Sequence, residues 1–150
     1  MFEKILLPTD GSRHSLEAAR IAADLATRHR GTVTPLVTVE YQYVTGGDLP
    51  EEIAAAIRAR IEGRARQALD AAIAAAREAG AQVDEGQVVE GPAPETIVEV
   101  AEDGQYDLIV MGSRGVSVDD GRDRLIGSVT ERVLHNAPCP VLVIRAEPRP

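Results

Sequence analysis

The sequence predicts an α/β fold, an open five-stranded parallel sheet with helices on both faces. Short aliphatic or β-branched runs alternate along the chain with longer segments of helical apolar spacing, five of the former and four of the latter. The chain has 150 residues, of which 44% are hydrophobic, and this suits a single domain with a large core. We therefore expect one domain over residues 1–146, followed by a frayed tail at 147–150.

The first strand and the first helix are predicted within residues 5–31. Residues 5–7 (ILL) form a short apolar run that Pro8 closes, which is typical of a strand buried on both faces. Ser12 is a candidate helix N-cap, and a basic pair followed by Gly31 indicates the end of the helix. Between these signals, apolar residues recur at helical spacing: Leu16, Ala19, Ala22, Ala23 and Ala26.

The second strand and the long helix follow. Residues 32–39 (TVTPLVTV) are β-branched, although Pro35 indicates an irregularity or an edge position. After a linker at residues 40–50, Asp48 and Glu51 have the spacing of a capping box, which opens a helix that runs to about residue 79. Its apolar positions step by four: Ile53, Ile57, Ile61, Ala65, Leu69 and Ile73.

Three strands and two helices complete the pattern. The strands are predicted at residues 82–89, 106–111 and 140–145. The first of these helices ends at Gly104, and its inward positions are Ile97, Val100 and Ala101. Ser128 and Glu131 again have capping-box spacing, and we expect the last helix to run from there to about Asn136.

A ligand site is expected beyond the carboxyl ends of the strands, where open parallel sheets bind ligands. Gly112 and Gly115 follow the fourth strand and allow close backbone approach, and Gly127-Ser128 begins a helix whose free N–H groups favour an anion. These parts together predict a phosphate cradle. Each part alone also has a structural explanation: the glycines can form a simple turn, Ser128 can be a cap, and Asp10 can be a turn residue.

Several classes of protein are excluded or disfavoured. The formal net charge of −8, without basic runs, argues against a nucleic-acid binder. The only lysine is Lys4, so there is no P-loop, and no G-x-G-x-x-G follows the first strand. A single cysteine forms no intramolecular disulfide, and no apolar run is long enough to span a membrane. We expect a cytoplasmic protein that binds neither nucleic acid nor a membrane.

Four segments carry a resemblance to a known family: residues 4–12 (KILLPTDGS), 38–40 (TVE), 88–115 and 127–144. On these segments the chain resembles the universal stress protein family over nearly its whole length. The resemblance implies a Rossmann-like fold of the adenine nucleotide alpha hydrolase type. It also implies a homodimer, formed by antiparallel pairing of the last strand: Val141, Leu142, Val143 and Ile144.

The nucleotide-binding branch of this family carries the pattern G-x-x-G, nine residues, then G-[ST]. Gly112, Gly115 and Gly127-Ser128 match its two ends, and the resemblance therefore implies ATP, ADP or AMP as ligand, with Mg²⁺ as a companion of the phosphates. Asp10 and Val39 are implied on the adenine side, with Pro8, Thr9 and Met111 lining the pocket. The residues implied around the phosphates and ribose are Gly112, Gly115, Gly127, Ser128, Val129 and Thr130.

The chain departs from that pattern between Gly115 and Gly127, where 11 residues replace nine. The longer segment carries Asp119, Asp120 and Asp123, which repel a polyphosphate unless a divalent metal or the nearby Arg122 and Arg124 offset them. Lengthening a loop costs little closure entropy, so the insertion is compatible with binding.

The sequence is compatible with three functions. The leading hypothesis is an adenine-nucleotide-binding regulator or sensor of the stress response. The alternatives are an interaction module of the same fold without nucleotide, and a slow ATP hydrolase. The sequence contains no G-x-S-x-G motif and no recognisable nucleophile–base pair, so we expect at most weak hydrolysis.

Overall fold

A single parallel sheet organises the computed structural model, which describes residues 1–45, 47–114 and 126–146. The predicted frayed tail at 147–150 lies outside the described residues. The strands are β1 (Lys4–Pro8), β2 (Thr32–Val39), β3 (Gln82–Val83), β4 (Gln87–Glu90), β5 (Leu108–Gly112) and β6 (Val141–Ile144). The helices are α1 (Arg13–His29), α2 (Gln42–Thr45), α3 (Glu51–Glu78), α4 (Ala93–Asp103) and α5 (Ser128–Asn136).

The strand order is β3-β2-β1-β5-β6, with β4 also paired to β2, and every pairing is parallel. The prediction of an open parallel sheet is confirmed. The four predicted helices are present, and α2 adds a single turn inside the predicted linker. The chain builds the sheet outward from β1 through β2 to β3 and β4, then returns to place β5 on the other side of β1. The strand order therefore reverses between β1 and β5.

Helices cover both faces of the sheet, as predicted. On one face, Leu7 and Val110 pack against the alanine side of α1, in which Ala18, Ala22 and Ala26 are fully buried. On the other face, inward side chains of β1, β2 and β5 pack against α4 and α5: Leu6, Leu36, Ile109, Met111, Ile97, Ala101 and Val133. The alternation of side chains along each strand divides the core between these two layers.

The end of α1 differs in detail from the prediction. The left-handed residue at the C-cap is Arg30, with φ of 58°, whereas glycine is the usual residue in that conformation. Gly31 is needed for a different reason, because a Cβ there would collide with the backbone carbonyls of Phe2 and Glu3. Its role is close approach of two chain segments.

Pro35 lies inside β2, away from the edge of the sheet and opposite the gap between β3 and β4. The prediction of an irregularity is confirmed. The alternative of an edge position is wrong, because β2 has β1 on one side and both β3 and β4 on the other. Proline has no N–H for a sheet hydrogen bond, and residues 84–86 separate β3 from β4 opposite it. There the Thr34 hydroxyl donates to Asp84 Oδ2 at 2.6 Å, and Gly86 adopts a φ of 69°.

The start of α3 corrects two predictions. Asp48 forms no capping box, because the helix begins at Glu51 after Pro50 and has no side-chain cap. The apolar stripe is buried only in its second half, since Ile53 and Ile57 are 48% and 36% exposed. A helix of 28 residues is about 42 Å long, whereas the eight-residue strand β2 spans about 26 Å, so the first turns extend past the sheet.

Candidate functional site

A cleft of about 210 Å³ opens beyond the carboxyl ends of β1 and β5, where the strand order reverses. This is the place that the general rule for open α/β sheets assigns to ligands. The structure brings nine of the eleven sequence-predicted site residues into its lining: Pro8, Thr9, Asp10, Met111, Gly112, Gly127, Ser128, Val129 and Thr130. Six further lining residues were missed by sequence reasoning: Ser15, Leu36, Thr38, Ala93, Ile97 and Arg114.

The two other predicted residues have different positions. Val39 is not among the residues lining the cleft; it packs with Ala65 and Leu69 of α3 on the other face of the sheet. Because side chains alternate along a strand, its neighbour Thr38 faces the cleft instead. Gly115 lies outside the described residues, and so do the three aspartates and two arginines that the sequence places in the longer segment.

The turn after β1 forms one wall of the cleft. The Asp10 carboxylate accepts a hydrogen bond from the Ser12 N–H at 2.9 Å, which is the turn role that aspartate often has. The Thr9 hydroxyl donates to Ser15 Oγ at 3.0 Å, and both residues are buried. Ser12 caps α1, as predicted, through a bond from the Ser15 N–H at 3.2 Å. Asp10 therefore fixes the turn and also lines the cleft.

Gly112 ends β5 and lies directly against the first turn of α1. A Cβ at Gly112 would be 2.8 Å from the Cβ of His14 and 2.9 Å from the nitrogen of Ser15. No real Cβ tolerates such distances, so the residue must be glycine if α1 is to keep its place. On the cleft side, the Thr130 hydroxyl donates to the Gly112 carbonyl at 2.9 Å and so ties α5 to this turn.

The start of α5 forms the opposite wall. Gly127 is the N-cap, and its N–H donates to the Ser113 carbonyl at 2.7 Å. The predicted capping box of Ser128 with Glu131 is wrong, because the helix begins one residue earlier than a Ser128 cap requires and has no side-chain cap. Ser128 therefore lies in the first turn, where N–H groups have no acceptor within the helix and the helix dipole is positive.

The cleft combines apolar walls with groups suited to an anion. Aliphatic side chains of the strands and of α4 form one part of its surface: Pro8, Leu36, Ile97 and Met111. Arg114 and the first turn of α5 form another. Pockets for small ligands commonly pair an apolar lining with a few polar groups that orient the ligand.

His14 lies in the first turn of α1, against Gly112, and is not among the residues that line the cleft. Burial lowers the pKa of the His14 imidazole, and Arg13, Arg114 and Arg145 lower it further, while Asp10 has a smaller opposing effect. The ring is therefore neutral at and above pH 7.

Two observations limit the chemistry of the described residues. They contain no group of three or more His, Cys, Asp or Glu side chains placed to hold a metal ion. Burial raises the pKa of the Cys139 thiol, and Asp107 adds to the effect, so this thiol is protonated near neutral pH. Within the same part of the chain, no helix is long and apolar enough to cross a membrane.

Comparison with known proteins agrees with this geometry. The sequence profile of the universal stress protein family matches residues 1–145. Universal stress protein MJ0531 of Methanocaldococcus jannaschii is 38% identical over 147 residues, which cover 97% of this chain and 83% of that protein. Among solved structures, hypothetical protein MJ0577 superposes with a TM-score of 0.80 at 28% identity, with 99% of both chains covered.

Some of these relatives hold adenine nucleotides. A universal stress protein in complex with cAMP matches with a TM-score of 0.69 at 26% identity, covering 96% of this chain and 97% of that one. More distant structures share the fold. The protein of Archaeoglobus fulgidus holds dAMP (TM-score 0.69, 22% identity, 96% and 99% covered). That of Arabidopsis thaliana holds AMP (TM-score 0.68, 17% identity, 97% and 92% covered).

Proposed function

The chain belongs to the universal stress protein family, and from this premise we propose that it binds an adenine nucleotide in the cleft between β1 and β5. Nucleotide occupancy would then serve as the signal of a cytoplasmic stress-response regulator. The observation that carries the proposal is the convergence of the Pro8–Asp10 turn, the Gly112 turn and the start of α5 on one cleft. The adenine nucleotides held by relatives of the same fold support it.

The base would lie against the aliphatic part of the cleft. Leu36, Ile97 and Met111 offer the flat apolar contacts that a purine needs. Asp10 and Thr38 are the polar groups beside these walls, and they would orient the base or the ribose. Val39 remains a proposed contact only through its backbone, because its side chain packs against α3.

The phosphates would lie at the start of α5. The N–H groups of Ser128, Val129 and Thr130 are first-turn donors at the positive end of a helix dipole. The Ser128 hydroxyl and the Arg114 guanidinium add two further donors on the same lining. Thr130 would act through its backbone, because its hydroxyl is bonded to the Gly112 carbonyl. Gly115 keeps its proposed role in the phosphate turn.

We propose ATP as the physiological nucleotide, with ADP and AMP as weaker ligands. The two-ended glycine pattern supports this choice. Mg²⁺ would arrive with the phosphates, since it typically keeps several waters and binds through phosphates and only one or two carboxylates. That mode needs no preformed metal cluster.

We also propose a homodimer of the single 1–146 domain, paired through β6. This strand lies at the end of the sheet order, and its residues Val141, Leu142 and Val143 are only partly buried in the single chain. An apolar edge strand with open backbone groups is suited to pairing with another chain.

The binding proposal is tested by a melting-temperature titration with ATP, ADP, AMP and cAMP, with and without Mg²⁺. A ligand at 100 times its Kd stabilises the protein by about 2.7 kcal/mol, which for a domain of this size raises Tm by roughly 5–10 °C. Gly127→Val adds a branched side chain at a glycine that lines the cleft and should abolish the shift. Gly63→Val is the matched control, because a Cβ at Gly63 meets nothing within 4 Å.

Two results would overturn the proposal: no shift of Tm with any of the four nucleotides, together with no nucleotide released from freshly denatured protein. They would favour an interaction module without nucleotide. If the wild-type protein releases phosphate from ATP and Gly127→Val does not, the protein is instead a weak hydrolase.

A further inference from the structure

His14 lies in the first turn of α1, and one atom of its ring has two partners from distant parts of the chain. Its Nδ1 accepts a hydrogen bond from the N–H of Ala146, just after β6, at 2.8 Å. The same Nδ1 lies 3.3 Å from the hydroxyl oxygen of Ser113, just after β5. These two partners are 132 and 99 residues away from His14 in the sequence.

Ser113 connects this contact to Gly127, which lines the cleft. It is 1% exposed, its N–H donates to the Ile144 carbonyl at 2.8 Å, and its carbonyl accepts from the Gly127 N–H at 2.7 Å. Gly127 is the N-cap of the helix at which the phosphates are proposed to bind. A continuous chain of hydrogen bonds therefore runs from the end of β6 through His14 and Ser113 to the start of α5.

The bond from the Ala146 N–H requires a neutral ring, whereas the Ser113 hydroxyl can either donate to Nδ1 or accept from it. An acceptor at Nδ1 places the ring proton on Nε2, and a second proton on Nδ1 would point at the N–H of Ala146. The charged groups that face the ring come from each segment packed around it: Arg13 and Asp10 beside α1, Arg114 after β5, and Arg145 after β6. Burial, followed by these three cations against one carboxylate, lowers the pKa of the His14 imidazole.

We propose that His14 is a positioning residue that couples the nucleotide cleft to the carboxyl end of β6. Its neutral imidazole holds the turn after β5 and the chain after β6 in one arrangement, and this arrangement sets the place of Gly127 at the start of α5. Protonation of His14 removes the acceptor of the Ala146 N–H, which breaks the link at the end of β6 and weakens ligand binding. The binding half of this inference rests on the proposed function, whereas the link between His14 and Ala146 does not.

The test compares two replacements of His14. His14→Asn keeps an acceptor oxygen close to the position of Nδ1 but does not titrate, and His14→Leu removes the acceptor and leaves two donors unpaired. At pH 7.5 we expect His14→Asn to bind ATP within about threefold of wild type. His14→Leu should bind on the order of tenfold more weakly, which corresponds to about 1.4 kcal/mol of binding free energy.

The pH profile separates positioning from simple packing. Because the pKa of His14 in the folded protein lies below its ordinary value of 6.5, the ring is mainly neutral above that pH and gains a proton only as the pH falls below it. Wild-type affinity should fall over this pH range relative to His14→Asn. The phosphate also titrates near pH 6, but it affects both proteins equally. His135→Asn, at an exposed histidine, is the control and should follow wild type.

The amide resonance of Ala146 supplies a readout that needs no ligand. It should titrate with the His14 ring in the wild-type protein and be independent of pH in His14→Asn. If the amide resonance of Ala146 in the wild type does not change as the His14 ring titrates, the link between His14 and Ala146 is overturned, whether or not nucleotide binds. Equal affinity of wild type and His14→Leu for ATP would overturn the coupling. Should His14→Leu not fold, Ser113→Ala removes one hydroxyl, and an unchanged affinity there has the same meaning.

Discussion

At the scale of single residues, Gly112 shows how packing and ligand binding require the same amino acid for different reasons. The sequence suggests that this glycine lets a backbone approach a ligand. The structure adds that α1 lies so close that a Cβ would meet the Cβ and carbonyl carbon of His14 at 2.8 and 2.9 Å. Substitutions at Gly112 are therefore expected to affect folding as well as binding.

Gly112→Ala should lower the free energy of unfolding by about 1–3 kcal/mol, the usual cost of overpacking, because the atoms it meets are backbone and Cβ atoms that cannot move aside. Gly63→Ala is the matched control. Gly63 is in α3 with open space around its Cα, so alanine should stabilise the helix by roughly 0.5–1 kcal/mol. Urea unfolding of both variants measures the difference. Equal stability of Gly112→Ala and wild type would contradict the close packing of α1.

Residue-scale prediction succeeded where a short motif carries the signal and failed where contact depends on the fold. The turn residues of the cleft were found from glycine spacing and helix-start chemistry. The contact between His14 and Ser113 spans 99 residues, and no local sequence pattern predicts it. Val39 was taken from the family resemblance, and Thr38 was missed because the sequence does not show which side chain of the strand end faces the cleft.

At the scale of elements, the four predicted helices are present, whereas α2 was not predicted and the two capping boxes did not form. Both failures are shifts of a residue or two. At α3, Pro50 takes the N-cap position with φ of −54°, which leaves Asp48 outside the helix. At α5, Gly127 takes it, which places Ser128 in the first turn. Capping patterns are short enough for neighbouring backbone preferences to override them.

The break between β3 and β4 is an element-scale feature with its own stabilising contact. The buried Thr34 hydroxyl donates to Asp84 at 2.6 Å, and the other Asp84 oxygen accepts from the Gly86 N–H at 3.0 Å. Asp84→Ala should therefore destabilise the protein by about 1–3 kcal/mol, because a buried hydroxyl loses its partner.

Adding Thr34→Val to Asp84→Ala should recover part of that loss, since valine has nearly the shape of threonine and needs no acceptor. A double-mutant cycle measured by urea unfolding gives the coupling, which we expect to be about 1 kcal/mol. A coupling of zero would mean that the hydroxyl finds another acceptor.

At the scale of the whole molecule, the strand–helix alternation sufficed to predict the sheet, and the rule for the reversal point sufficed to place the cleft. The alternation could not show that the first turns of α3 extend past the sheet, because helical apolar spacing continues through Ile53 and Ile57 although these side chains remain 48% and 36% exposed. An apolar residue is the same in the sequence whether its side chain is buried or half-exposed.

The proposed dimer is tested at the backbone of β6. The Ile109 and Ser113 N–H groups bond to the carbonyls of Pro140 and Ile144. The even-numbered residues of β6 therefore direct their backbone N–H and C=O groups toward β5, and the odd-numbered ones direct them away from it. Val143 therefore directs its N–H to the open edge. Val143→Pro should remove that donor, leave β5 pairing intact, and convert a dimer of twice 16.0 kDa into a 16.0 kDa monomer in sedimentation velocity.

Val143→Thr is the control for this change, because it keeps the N–H and the β-branched shape and should remain dimeric. A wild-type chain that sediments as a monomer at micromolar concentration would rule out the dimer. A dimeric Val143→Pro would place the interface elsewhere.

The central position of β1 has a consequence for folding during synthesis. During synthesis β1 leaves the ribosome first, and β2 can pair with it early, but its other neighbour, β5, is made about a hundred residues later. Until then one edge of the apolar run at residues 5–7 has no strand beside it, and such edges invite aggregation. The first strand of this chain is thus the part that we expect a chaperone to shield longest.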